Sequence, residues 1–288
     1  MKCSRIIQLL VLLIFAFTLG SCIYDKYPDR KQYTLTVEYV DSLGEQLSDS
    51  VASLYGLACF VNGIYRETLF READGKYRYA FLGDDDVTFV ALASKDTEKF
   101  LVTPPKDGIS IQNRWLQMNL LVGENAPEPS PIYYGSVNTH ITGTKNENVY
   151  VKMQDVRTQV KVIAYNMLDK FGPGNYRFTL ENCPTGIAYD GSACGEIVNY
   201  EMPGMLCPDG NYRTQSRYVL PTGEQPMRVR IYKEDGKLLF ETDKDSQGNP
   251  IYLCSGTNNV IMILFHYTTD ATIKIVPFEE VGNETLFP

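Results

Sequence analysis

Cys22 is the residue whose surroundings specify a chemistry. Leu19-Gly20-Ser21-Cys22 follows an apolar run, residues 6–17, that is broken only by Gln8, and Lys2 and Arg5 precede that run. Basic, apolar, small, then cysteine is the order of a bacterial lipoprotein signal. The peptidase that cuts such signals needs small residues beside the scissile bond, here between Ser21 and Cys22. It also needs a thiol that already carries diacylglycerol. Residues 1–21 are therefore expected to be a signal peptide, with lipid on the Cys22 sulfur. The alternative is a plain transmembrane helix, since no charge falls between Ile6 and Tyr24. That span barely reaches the roughly 20 residues a bilayer takes, and a plain anchor has no use for the cysteine.

The other thiols suggest redox chemistry before metal chemistry. Cys3 leaves with the signal, and Cys59, Cys183, Cys194, Cys207 and Cys254 remain. An oxidising envelope permits disulfides. One bridge is expected within Cys183, Cys194 and Cys207, with Cys194–Cys207 the preferred pair; the alternative is five reduced thiols acting as small apolar side chains. No Cys-x-x-Cys pair exists, and the two histidines, His140 and His266, lie far from the cysteines in sequence. No zinc site is expected.

Catalysis finds no constellation either. No serine sits in a Gly-x-Ser-x-Gly elbow, and neither Cys183-Pro184 nor Cys207-Pro208 has a neighbouring histidine to make a thiolate. Both histidines sit in strand-like runs. Residues 243–248, Asp-Lys-Asp-Ser-Gln-Gly, imitate half of a calcium loop, but Cys254 stands where the bidentate glutamate belongs. A hairpin turn is the expected structure there, and Asp84-Asp85-Asp86 reads as a wet turn. The chain is read as no enzyme, with no cofactor and no metal.

These residues must be carried by strands. Tyr33, Leu35, Val37 and Tyr39 alternate with polar neighbours, as do Tyr77, Tyr79 and Phe81, then Val149, Val151 and Met153, then Val160, Val162 and Ala164. Residues 260–265 are apolar throughout, which suits a strand covered on both faces. Asp74-Gly75 and Asp235-Gly236 tolerate the positive φ of tight hairpins. About fifteen strands are expected, with short helical turns at residues 94–100 and 166–171, and the fold class is all-β sandwich. Residues 22–32 read as a tether. Pro127, Pro129 and Pro131 mark a break, and the sandwiches are expected at residues 33–145 and 146–288. Cleavage after Ser21 takes the net charge from −8 to −10. An acidic chain without a basic cluster is no nucleic-acid partner and has no electrostatic hold on anionic lipid. Membrane attachment would rest on acyl chains at Cys22.

The order of these features resembles the FimB-type anchor subunits of type V fimbriae in Bacteroidota over nearly the whole chain. The resemblance is carried by the lipobox ending at Cys22, the first strand at residues 33–40 and Pro131-Ile132-Tyr133-Tyr134-Gly135. It continues through Arg157-Thr158-Gln159-Val160-Lys161-Val162 and Leu220-Pro221-Thr222-Gly223 to the Asp235-Gly236 hairpin and the last two strands. Gln154-Asp155-Val156-Arg157 replaces the family's leucine-threonine-arginine run, and the last strand ends at Pro277-Phe278 where relatives often have tryptophan. The resemblance implies two tandem transthyretin-like sandwiches, fimbrial shaft subunits as partners, and an outer-membrane protein that holds fimbriae and influences their length. Ile23 after the lipidated cysteine lacks the inner-membrane retention signal, and Asp25 and Asp29 favour surface export. The competing reading is a surface lipoprotein that binds glycan or a host ligand. Against it, the single tryptophan, Trp115, lies in an alternating run expected to be core.

Overall fold

A computed structural model describes residues 32–80, 84–120, 125–142, 146–267 and 271–278. The signal, Cys22 and the tether lie outside them. The regular structure of the described residues is nearly all strand. The first nine strands are β1 (Gln32–Tyr39), β2 (Ser53–Val61), β3 (Ile64–Leu69), β4 (Tyr77–Ala80), β5 (Asp85–Ser94), β6 (Phe100–Val102), β7 (Arg114–Met118), β8 (Ile132–Ile141) and β9 (Glu147–Asp155). Then follow β10 (Thr158–Tyr165), the short helix α1 (Met167–Phe171), β11 (Tyr176–Ala188), β12 (Ala193–Met202), β13 (Gly204–Leu206), β14 (Tyr212–Thr214) and β15 (Arg217–Val219). The last four are β16 (Arg228–Lys233), β17 (Leu238–Thr242), β18 (Asn258–Phe265) and β19 (Ala271–Pro277).

The first sandwich is one folded ribbon of strands in the order β3-β2-β5-β8-β9-β1-β4. Leu57, Phe89 and Tyr133 from one layer meet Leu35, Tyr79 and Val151 from the other in its core. The second sandwich repeats the plan, with β12-β11-β16-β17 in one layer and β18-β10-β14 in the other. In each, the opening strand lies parallel to a late one: β1 to β9 and β10 to β18. Asp-Gly turns form where the sequence puts them, with Gly75 and Gly236 at φ 80° and 83°. Val260, Ile261, Met262, Ile263 and Phe265 on β18 are all at most 2% exposed, so both of its faces are covered.

Strand pairing does not follow the division expected at residue 145. That position falls between β8 and β9, yet β9 pairs with β1 and β8 in the first sandwich. The β6–β7 hairpin, expected in the first domain, joins the sheet of the second: β7 takes the stretch of β11 beyond the reach of β16. The proline segment is the return path from that excursion. Ala126 N donates to Asn199 O on β12 at 3.0 Å, and Pro129 O accepts from Arg157 at 2.9 Å. Prolines suit it because it belongs to no sheet.

The excursion joins the two sandwiches through an apolar seam. Phe60 and Leu92, on the outer face of β2 and β5, meet Trp115, Leu116, Ile187 and Tyr189. Trp115 stacks on Tyr189 with centroids 4.7 Å apart, and Tyr189 Oη donates to Thr103 O at 2.6 Å. Arg157 pins the polar side of the junction. It pairs with Asp155 at 2.7 Å and lies 4.0 Å over the Tyr218 ring.

Candidate functional site

β1, the first strand among the described residues, is paired on both sides. Seven residues, Tyr33 to Tyr39, pair in parallel register with Glu147 to Met153, and Gln32 to Leu35 pair antiparallel with β4. Gln32 N also donates to Asn146 Oδ1 at 2.9 Å. Tension drawn along this strand loads the whole ladder in shear, so several hydrogen bonds must give together. Tyr33 and Leu35 are fully buried, which keys the strand into the core.

Sheet edges are the other candidate surface, since their unpaired N–H and C=O groups accept strands from elsewhere. The chain covers several of its own. β3 is met by Tyr65 N to Ile109 O and Ile111 N to Gly63 O, both 2.8 Å. β12 is met by Ala126, whose carbonyl Arg217 also holds. β19 is met by Ser246, which donates to Ile273 O at 3.1 Å and accepts from Ile273 N through its hydroxyl at 2.6 Å. Among the described residues β4 and β17 have no such cover.

The residues singled out for chemistry are dispersed. Ser21 and Cys22 lie outside the described residues. Cys194 and Cys207, expected as a pair, are free thiols, as are Cys59, Cys183 and Cys254. Geometry separates the expected pair. From Cys194 to Met202 the chain is extended strand, about 26 Å at 3.3 Å per residue. The next five residues can return about 18 Å at most, which leaves more than the roughly 7 Å limit between disulfide Cα atoms. The sequence spacing of thirteen residues hid a long strand. Burial pushes the Cys59 and Cys183 thiols up to about 12, so neither is a thiolate at neutral pH.

His140 stands at the end of β8 with Nδ1 2.9 Å from Asp86 and Nε2 2.9 Å from Asp84. The hydrogen bond to Asp86 and the charge of Asp84 raise its pKa above the ordinary histidine value. This exposed cluster ties the end of β8 to the start of β5 and to Asp84 just before it. His266 bonds Thr272 at 2.7 Å across the β18–β19 connection. In the calcium-like stretch, Asp245 spends its carboxylate on its own turn, accepting from Gln247 N and Asn249 N at 2.9 and 2.8 Å. Among the described residues no group of three or more His, Cys, Asp and Glu side chains is placed to hold a metal ion. None of their helices is long and apolar enough to cross a membrane.

Three residues of one motif acquire roles that the sequence did not assign. In Tyr133-Tyr134-Gly135, Tyr134 Oη donates to Tyr189 O at 3.1 Å across the junction. Gly135 is where β8 bends onto β9: a Cβ there would lie 2.3 Å from Lys152 O. Tyr133 opens onto a cleft between the sandwiches. The readable signal was the glycine, because glycine inside a strand marks a close backbone approach.

Solved structures share this architecture. The fimbrial anchor protein Mfa2 from Porphyromonas gingivalis superposes with a TM-score of 0.59 at 12% identity, over 86% of this chain and 98% of that one. A candidate polysaccharide-binding protein from Bacteroides thetaiotaomicron gives 0.60 at 12% identity, over 87% and 99%. A candidate adhesin from the same species gives 0.51 at 14%, over 87% and 97%. No curated protein matches the chain. Residues 25–284 match the family described as Mfa2, fimbrillin-A associated anchor proteins Mfa1 and Mfa2. With nearly its whole length inside that match and the tandem sandwiches to go with it, this chain belongs to the fimbrillin-A associated anchor family.

Proposed function

We propose that this protein is a lipid-anchored base subunit that holds fimbriae to the outer membrane and influences their assembly or length. The family match across residues 25–284 carries the reading. The lipobox at Cys22 supports the lipid attachment, because a chain of net charge −10 after cleavage needs acyl chains to stay on a bilayer. The path of force supports it too. Tension would run from lipid through residues 22–32 into β1, which is paired on both edges.

Fimbrial shaft subunits are the partners in this reading, and a strand from a shaft subunit would complete a sheet edge. The anchor's own first strand stays in place. A cut at Arg30-Lys31 would release the fibre from its lipid, so this basic pair resists processing in the cell. Deleting the gene tests the proposal. Shaft subunits should still be made, with fibres shed into the medium or abnormal in length. Firmly attached fibres of normal length would overturn it.

A further inference from the structure

The two sandwiches meet over a cleft of about 300 Å³, which lies at the small end of the range for small-molecule sites. The first sandwich supplies Asp41 and Ser42 from the β1–β2 loop, and Tyr133 and Gln154 from β8 and β9. The second supplies Tyr218, Ser255 and Asn258. Arg157 and Asp155 form the junction between them.

Three observations say what this cleft can take. First, Tyr133 is only 8% exposed, yet its phenol finds no hydrogen-bond partner among the described residues although it lines an open space. Solvent reaches that hydroxyl from the cleft, so a ligand hydroxyl can take the place of water as its hydrogen-bond partner. Second, among the described residues the cleft offers no free cation. Arg157 places Nε and Nη2 on Asp155 and Nη1 on Pro129 O, so carboxylate and phosphate ligands have nothing to pair with. Third, the remaining polar groups suit ligands that both donate and accept. Asp41 uses Oδ1 to close its own loop, accepting from Leu43 N and Glu45 N at 2.9 and 2.8 Å, which leaves Oδ2. Gln154 gives Nε2 to Asp41 O at 3.3 Å, which leaves Oε1. The Asn258 amide is exposed and the Tyr218 ring is braced by Arg157. Carboxylate, amide and hydroxyl groups beside aromatic rings match the alternating polar edge and apolar face of a pyranose.

We propose that this interdomain cleft binds one residue of a neutral saccharide, with Tyr133, Gln154 and Asp41 as hydrogen-bond partners and Tyr218 as the ring beside it. The site goes beyond the anchoring role and gives the base of the fibre a glycan contact of its own. Its rigidity comes from the seam and from Arg157, so the two walls are held in register before ligand arrives.

The test uses the full chain purified in detergent. Neutral oligomers of glucose, mannose, galactose, xylose and N-acetylglucosamine are titrated by calorimetry and by saturation-transfer NMR, with a galacturonate oligomer as the acidic comparison. At least one neutral oligomer should bind. Tyr133→Phe, which keeps the ring and its edge contact with Tyr39, should weaken that binding roughly tenfold. Gln154→Ala at the exposed rim should weaken it as well, and serves if the buried variant fails to fold. No binding of any neutral oligomer at about 10 mM would overturn the proposal. So would binding that both variants leave unchanged, or a preference for the acidic oligomer. Fibre attachment to cells should be the same in Tyr133→Phe as in the parent.

Discussion

The two sandwiches close the same corner by different means. In the first, β8 bends across onto β9, Tyr133 and Tyr134 pair with Asp155 and Gln154, and Gly135 lets the backbones touch. In the second, the equivalent strand β17 does not pair with β18. The position is filled by β19, which lies antiparallel on β18 through seven residue pairs from Asn259 to Phe265. Ser246, in the long connection from β17, then seals the outer side of β19. The first domain closes from within its own run of strands. The second depends on its last strand, so the first half is the more self-sufficient of the two.

The largest effect should come from removing that last strand. A stop after Tyr267 deletes β19, exposes the β18 edge and strips Ile273 and Val276 from the interior, where they are 7% and 8% exposed. Those two side chains alone account for roughly 4 kcal/mol. Hydrogen exchange should show β10, β18 and α1 losing protection while β1, β5 and β9 keep theirs. Equal loss in both halves would erase the distinction drawn between them.

Gly135→Val attacks the other corner. Its Cβ would collide with the Lys152 carbonyl, and an overpacked backbone contact costs about 3 kcal/mol. Urea unfolding should place that loss in the first sandwich. Gly56→Ala is the control, since its nearest neighbour is Thr68 Cγ2 at an ordinary 3.5 Å, and it should be near neutral.

The seam decides whether the halves unfold together. Tyr189→Leu loses the stack on Trp115 and the hydrogen bond to Thr103 O, about 2 kcal/mol in sum. A single unfolding transition should separate into two. A transition that stays single at reduced stability would mean that other contacts couple the domains.

The smallest effect belongs to His140. Its pKa is raised in the folded chain, chiefly by the hydrogen bond to Asp86 and then by Asp84. The charged pair therefore adds stability below the unfolded-state pKa, and that gain disappears as pH rises through the folded pKa. The cluster is exposed, so the change should be slight. NMR titration of the ring checks the direction, and a pKa below that of a free histidine would contradict the pairing.

Much of this was legible in the sequence. Period-two runs located β1, β4, β9 and β10, and the Asp-Gly pairs located two tight turns. Asp235-Gly236 closes the β16–β17 hairpin, while Asp74-Gly75 joins strands that do not pair. The apolar run at residues 260–265 identified the strand buried on both faces. Partnership was not legible. Nothing in Arg114-Trp115-Leu116-Gln117-Met118 says that it leaves the first domain for the sheet of the second, because alternation fixes a strand's faces and leaves its neighbours open. The same gap misplaced β9 and paired Cys194 with Cys207, where closeness in sequence concealed a strand about 26 Å long. Tyr133 was visible only as part of a motif, since an unpaired phenol is a property of its surroundings.

The most direct test of the account is a Cys22→Ser strain in which fibres are counted on cells and in the medium by electron microscopy, with the protein followed by membrane fractionation. The account predicts that the variant leaves the membrane fraction and that fibres appear in the medium. Variant protein still pelleting with membranes, with fibres held on the cells as in the parent, would contradict it.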